Sequence, residues 1–283
     1  MLNFHQPTSE IYIPDGLPVA QALQRTTHLA ISAHQDDLEI MAAKPILECF
    51  QQSDLWFTGV VVTDGRGSPR AGLYADYTDE AMHRVRFKEQ KKAAFVGEYA
   101  AQVFLDYPSR MAKEAADQAI QEDLIALMRA ATPRFVYTHN LADKHDTHVG
   151  VAAKVIQALR SLPPDARPEK VYGCEVWRGL DWMQDSDKIA FDLSRYENLQ
   201  AALLGVFDSQ ISGGKRYDLA SMGRRRANAT YFESHGVDEA LALSFAMDLT
   251  PLVVDPRLDI VAYVQGFIDR FRQDVSDRLR RVA

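Results

Sequence analysis

The sequence predicts an α/β fold, a Rossmann-like doubly wound and mostly parallel sheet with helices on both faces. Three observations carry that expectation. Runs of apolar and β-branched residues recur at 29–33, 56–63, 102–106 and 134–138, and the second is apolar enough for a central parallel strand. Between them stand segments whose apolar residues repeat at helical spacing. Strand and helix alternating at such intervals imply crossover units, hence parallel pairing.

Residues 1–26 contain Pro7, Pro14 and Pro18 without strong periodicity, and they read as an irregular arm with a short helix near residues 20–24. The first strand then runs into His34-Gln35-Asp36-Asp37. Residues 38–50 follow as a helix that Pro45 must bend, because proline has no amide hydrogen to donate. The partial positive charge at that helix N-terminus favours ionised Asp36 and Asp37. The strand at 56–63 ends in the turn-rich stretch 64–70. This stretch lacks the Gly-Lys-Ser/Thr ending of a nucleotide loop, so it reads as a substrate loop in which Arg66 or Arg70 reaches an anionic group.

From Thr78 a hydroxyl cap, acids in the first turn and bases later predict a helix, with Arg84, Lys88, Lys91 and Lys92 on a solvated face. A strand at 102–106, a helix over 112–131, a break at Pro133 and a strand at 134–138 come next. Val149, Ala152, Val155, Ile156 and Leu159 mark another helix. Beyond Pro163-Pro164, strands at 170–177 and 189–193 and helices at about 195–209 and 257–281 are expected. Arg278, Arg280 and Arg281 suit the negative pole of a helix C-terminus. Arg224-Arg225-Arg226 point in different directions on a helix and read as a solvated face. Residues 1–283 thus read as one elaborated domain, with 165–283 completing the pocket.

Composition narrows the function. With 283 residues, 47% hydrophobic and 25% charged, the chain has the profile of an ordinary globular protein. The balance of 32 basic against 39 acidic residues, a net charge of −7, argues against electrostatic binding of nucleic acid. Cys49 and Cys174 are too few for a disulfide framework and read as buried thiols. No stretch reaches the roughly 18 apolar residues of a membrane span and no leader is evident, so a cytoplasmic protein is the default expectation. Self-association into a homo-oligomer is left open.

The chemistry gathers at strand ends, where ligands collect in open α/β sheets. His34 from the first strand end and Asp37 from the first helical turn can converge on one cation. Catalytic zinc usually keeps three protein ligands and one open position. His148, in His145-Asp146-Thr147-His148 after the run Phe135-Val136-Tyr137, is the best distant third ligand, and Asp36 is left free. His5, His28, His83, His139 and His235 belong to no paired motif and read as structural or exposed, His139 being the open case.

At these segments the chain resembles the PIG-L/LmbE-like family of zinc-dependent N-acetylglucosaminyl deacetylases, whose motifs read Ala-His-Pro-Asp-Asp and His-Pro-Asp-His. Thr63-Asp64-Gly65, Arg86 and Glu89 followed by Gly97, and Asp208-Ser209-Gln210 also resemble family landmarks. Two residues depart from the pattern: Gln35 replaces the proline, and Thr147 replaces an aspartate that could orient a ligand, with Asp146 one position earlier. The resemblance implies a small N-acetylated sugar as substrate, Zn2+ as cofactor with Fe2+ as an alternative, and Arg86 as a substrate contact. On that basis Asp36 is expected to act as general base, and protonated His145 to stabilise the oxyanion. Three other readings stand beside it: an iron oxygenase, disfavoured by the strand-helix alternation, a non-catalytic metal-dependent sugar-binding protein, and an amidase of a thiol-conjugated sugar.

Overall fold

The computed structural model describes residues 2–283. Its strands, in chain order, are β1 (Glu10–Tyr12), β2 (His28–Ser32), β3 (Phe57–Thr63), β4 (Ala101–Tyr107), β5 (Phe135–His139), β6 (Lys170–Cys174), β7 (Ile189–Asp192) and β8 (Leu243–Asp248). They form one sheet in the order β1-β4-β3-β2-β5-β6-β8-β7. From β4 through β3, β2 and β5 to β6 the pairing is parallel. Every residue of β2, β3 and β4 is buried, as strands covered on both faces require. Antiparallel strands finish both edges, β1 against β4 on one side, β8 and β7 on the other.

The winding follows from handedness. The chain steps outward from β2 to β3 and β4, then returns to lay β5 on the other flank of β2. Right-handed crossovers in two opposite directions put successive helices on opposite faces. Leu29 and Ile31 of β2 accordingly pack with Ile120, Leu124, Val151 and Val155 of the helices Ala119–Ala131 and Asp146–Arg160. Ala30, pointing the other way, packs with Leu38, Ile46 and Phe87 of Asp37–Met41, Ala43–Cys49 and Asp79–Val96. The reversal of strand order between β2 and β5 opens a crevice at their carboxyl ends.

The mostly parallel, doubly wound sheet is as expected, and the departures are local. The N-terminal arm contributes β1 as well as the helix Val19–Gln24. The helix expected at 38–50 divides at Ala42, and Pro45 sits in the first turn of its second part, where no helical partner is missing for it. The helix expected at 112–131 is Ser109–Lys113 followed by Ala119–Ala131. The helix on which Arg224-Arg225-Arg226 were read, without bounds, is Tyr217–Tyr231, and β8 had no counterpart in the sequence reading. Arg225 on that helix is buried, not solvated: it donates to Gln200 Oε1 at 2.9 Å and to the Glu39 carbonyl at 2.7 Å. Among the described residues no helix is long and apolar enough to cross a membrane.

Candidate active site

His34 follows the end of β2, Asp37 opens the helix Asp37–Met41, and His148 lies in the first turn of Asp146–Arg160 after β5. Their donor atoms form a nearly equilateral triangle. His34 Nδ1 lies 3.2 Å from Asp37 Oδ2 and 3.2 Å from His148 Nε2, and the third edge, His148 Nε2 to Asp37 Oδ2, is 3.3 Å. Ligands about 2.0–2.1 Å from a tetrahedral cation stand about 3.3–3.4 Å apart, so the three atoms fit a zinc-sized ion. Burial alone would raise the Asp37 carboxyl, but the imidazoles of His148, His139 and His34 outweigh it and hold it well below the usual range.

Two further groupings of metal-capable side chains overlap this triangle, one adding His145 and the other His139. His139 is the weaker ligand: its Nε2 already accepts the Ala33 N–H at 2.8 Å, which uses the lone pair a cation would need. It is fully buried, stacks on His148 with ring centroids 3.9 Å apart, and burial drives its pKa down to about 4. The open histidine of the sequence is thus a neutral ring packed behind His148.

Asp36 is held beside the triangle by the helix Asp79–Val96. Its backbone lies in the left-handed region, φ 83°, and its N–H donates to Gln90 Oε1 at 3.2 Å. Arg86 Nη2 donates to Asp36 Oδ2 at 3.1 Å and to the Gln35 carbonyl, while Nη1 reaches Glu89 Oε2 at 3.3 Å. Glu89 in turn accepts the Ser209 N–H at 2.6 Å and its hydroxyl at 2.8 Å. The Arg-x-x-Glu and Ser-Gln landmarks are therefore one buried chain behind Asp36. Burial pushes the Asp36 carboxyl up to about 6, with Arg86 pulling the other way. Arg86, expected as a substrate contact, is 2% exposed and has its fork turned to protein groups, although it forms part of the cleft wall.

Gln35 accommodates the missing proline by donating from Nε2 to the Thr63 carbonyl at 3.1 Å. Gly65 is its counterpart: at φ +68°, a Cβ there would stand 2.4 Å from Gln35 Oε1. In the second motif Asp146 is exposed and Thr147 buried, so neither supplies an orienting carboxylate. Asp143 does. Its Oδ2 lies 3.4 Å from His148 Nδ1, ion-pair range though long for a hydrogen bond, and its Oδ1 accepts the His145 N–H at 3.0 Å. His145 Nδ1 accepts the Thr147 N–H at 3.3 Å, leaving its proton on Nε2. Burial and the charges of His34 and His148 lower the His145 pKa, which favours the neutral ring over the imidazolium expected from sequence.

These groups floor a cleft of about 390 Å3 whose rim includes Ser68, Lys113, Trp177, Gln210, Lys215 and Tyr217. Arg66 is not among the lining residues: its guanidinium faces Glu80 at 3.0 Å and Asp64 at 3.4 Å. Arg70 pairs with Asp79. A larger hollow of about 610 Å3 beside the C-terminal helix shares no residue with the cleft and contains none of the triangle.

Residues 29–159 match the family model described as GlcNAc-PI de-N-acetylase, PIG-L. No curated protein matched the chain. Among solved structures, a conserved protein from Thermus thermophilus is similar at 17% identity over 82% of this chain and 98% of its own, with a TM-score of 0.61. N,N'-diacetylchitobiose deacetylase from Pyrococcus horikoshii aligns at 16% identity over 78% of this chain and 83% of its own, TM-score 0.59. A 4-carboxy-2-hydroxymuconate hydratase from Pseudomonas putida aligns at 18% identity over 83% and 98%, TM-score 0.60. A deacetylase and a hydratase at equal likeness speak for the fold alone.

Proposed function

From the premise that this chain belongs, through residues 29–159, to the GlcNAc-PI de-N-acetylase (PIG-L) family, we propose that it is a metal-dependent hydrolase removing the acetyl group from the amide nitrogen of an N-acetylglucosamine-type sugar. One observation carries the reading: His34, Asp37 and His148 converge at 3.2–3.3 Å with Asp36, held in place by Arg86, next in the chain to a ligand. A divalent cation held by the three, Zn2+ or Fe2+, supplies Lewis acidity that acidifies water and polarises the amide carbonyl.

The chain's own residues do the rest. Asp36, ionised at neutral pH, accepts a proton as water oxygen bonds to the acetamide carbon. His145 Nε2–H, in the cleft wall, donates to the carbonyl oxygen as charge accumulates there. When the C–N bond breaks, the Asp36 carboxylic acid returns its proton to the departing nitrogen, giving acetate and a free amino sugar. The Arg86–Glu89–Ser209 chain fixes Asp36 while that proton moves twice. Support for the substrate class comes from the family description.

The test is acetate release from a panel of N-acetylated sugars with zinc or iron supplied, in parallel with a hydration assay on an unsaturated carboxylic acid. Acetate release that depends on added metal and on Asp36 is the expected result. Hydration without acetate release would overturn the proposal, and metal-dependent sugar binding without either reaction would make the chain a receptor.

A further inference from the structure

The helix Ile260–Val282 carries more apolar surface than the body of the protein covers. None of its 23 residues is buried. Ile260, Tyr263, Val264 and Phe267 rest on the core, and the Tyr263 hydroxyl donates to the Asp248 carbonyl at 2.7 Å, so the first half is docked. Past Arg270, which pairs with Asp187 at 2.8 Å, the hollow of about 610 Å3 lies beside the helix, lined by Phe271 and Val275 together with Phe232 and Phe245. Val261, Ile268, Phe271, Val275, Leu279 and Val282 are all exposed, from 36% to 83%. At about 100° per residue they fall within one arc of about 80°. Val261, Ile268, Val275 and Val282 recur at every seventh position. A repeat of seven keeps an apolar stripe facing a second helix as the two wind around each other, so this stripe suits a helical partner.

Charge selects the partner and its direction. Residues 259–270 carry Asp259 and Asp269 against Arg270, whereas 271–283 carry Arg272, Arg278, Arg280 and Arg281 against Asp274 and Asp277. A second copy laid antiparallel sets each acidic start beside a basic end and opposes the two helix dipoles; laid parallel, like ends meet. The aspartates among those arginines also disfavour an anionic lipid surface, which attracts a uniformly basic flank. We propose that this face is the two-fold interface of a homodimer, in which the helix Ile260–Val282 pairs antiparallel with the same helix of a second copy. Such a contact requires one surface to complement itself. With the axis between Asp269 and Arg270, Ile268 of each copy meets Phe271 of the other, Val264 meets Val275, and Arg280 comes level with Asp259. Arg278 covers Val261 with its aliphatic stem. The helix lies outside the segment matched by the family model, and the inference is independent of the hydrolase reading.

Light scattering coupled to gel filtration of the full-length chain, at about 1 to 100 µM, measures the assembly. A mass of two chains, or of another even number, is expected. Ile268→Glu combined with Val275→Glu brings carboxylates of both copies into the seam and is expected to weaken association at least about 100-fold and halve the mass. Circular dichroism stays unchanged, because both positions are exposed. Direction is read by cross-linking: chains carrying Val261→Cys and chains carrying Arg278→Cys, mixed and oxidised, join to each other and not to themselves. Cys49 and Cys174 are buried and do not compete. A single-chain mass at every concentration, an odd number of copies, or a mass that the paired substitutions leave unchanged overturns the proposal. Cross-links among Val261→Cys chains alone overturn the antiparallel pairing. Co-sedimentation with vesicles of phosphatidylserine and phosphatidylcholine is measured alongside: a monomeric chain that pellets with them, and ceases to when substituted, gives the face to a membrane surface instead.

Discussion

The floor and the rim of the cleft are built on opposite rules. On the floor, Asp36, Asp37, Arg86, Asp143 and His148 are all buried, and each is held by another polar group. At the rim, Lys113 and Lys215 are exposed and have no carboxylate partner among the described residues. Removing one member of a buried polar set leaves its partners unsatisfied in a low dielectric, whereas removing an exposed side chain costs little beyond its own contact. On the proposed reading, chemistry therefore resides where substitutions are expensive, and substrate contact where they are cheap.

Four substitutions probe that contrast. The largest effect is expected from Asp37→Ala, which opens the ligand triangle: about a thousandfold or greater loss of acetate release, with metal content after dialysis falling in step. If metal is retained at full occupancy, Asp37 is not a ligand. Next, Asp36→Asn should lower kcat by about 10²–10⁴-fold while metal content is unchanged, and undiminished kcat would remove Asp36 from the role of base. Asp143→Asn, which keeps the shape but removes the charge behind His148, should cost about 10–100-fold in metal affinity or activity. An unaltered metal titration would show that His148 needs no such support.

The smallest effect concerns the opposite end of the strand that leads to His34. His28 begins β2, 2% exposed, with Thr27 Oγ1 at 2.9 Å from its Nδ1, and burial lowers its pKa to about 4. Between about pH 4 and 6.5 the unfolded chain binds the proton and the folded chain does not, so stability rises with pH across that window and is complete above it. The change is on the order of 2 kcal/mol. Urea midpoints at pH 5 and 7 measure it, and His28→Phe should flatten the difference. A slope unchanged in that variant would assign the acid sensitivity elsewhere.

The difference between floor and rim also explains what the sequence revealed. The central strands were readable because strands buried on both faces must be apolar throughout, as Val60-Val61-Val62 shows. The ligand triangle was readable because three residues of unusual chemistry sat at two strand ends. What Arg86 touches was not, because its partners Asp36 and the Gln35 carbonyl lie some fifty positions away and only the fold brings them together. Gln90 and Asp143 carry ordinary polar side chains whose importance comes from position alone. Arg225 violates the rule that charges stay in water, so a pattern argument sends it outward, and burial lowers its pKa to about 10. The edge strand β1, three residues long, gives too short a pattern to register.

The left-handed backbone at Asp36 limits how descendants of this chain could lose their chemistry. Most side chains are strained in that conformation, and only asparagine and glycine enter it at little cost. Both are reached from an aspartate codon by a single nucleotide change. Asparagine also keeps an acceptor for Arg86 while deleting the proton acceptor, so on the proposed reading the shortest evolutionary route away from catalysis leads to a metal-bearing sugar receptor and not to an unfolded protein.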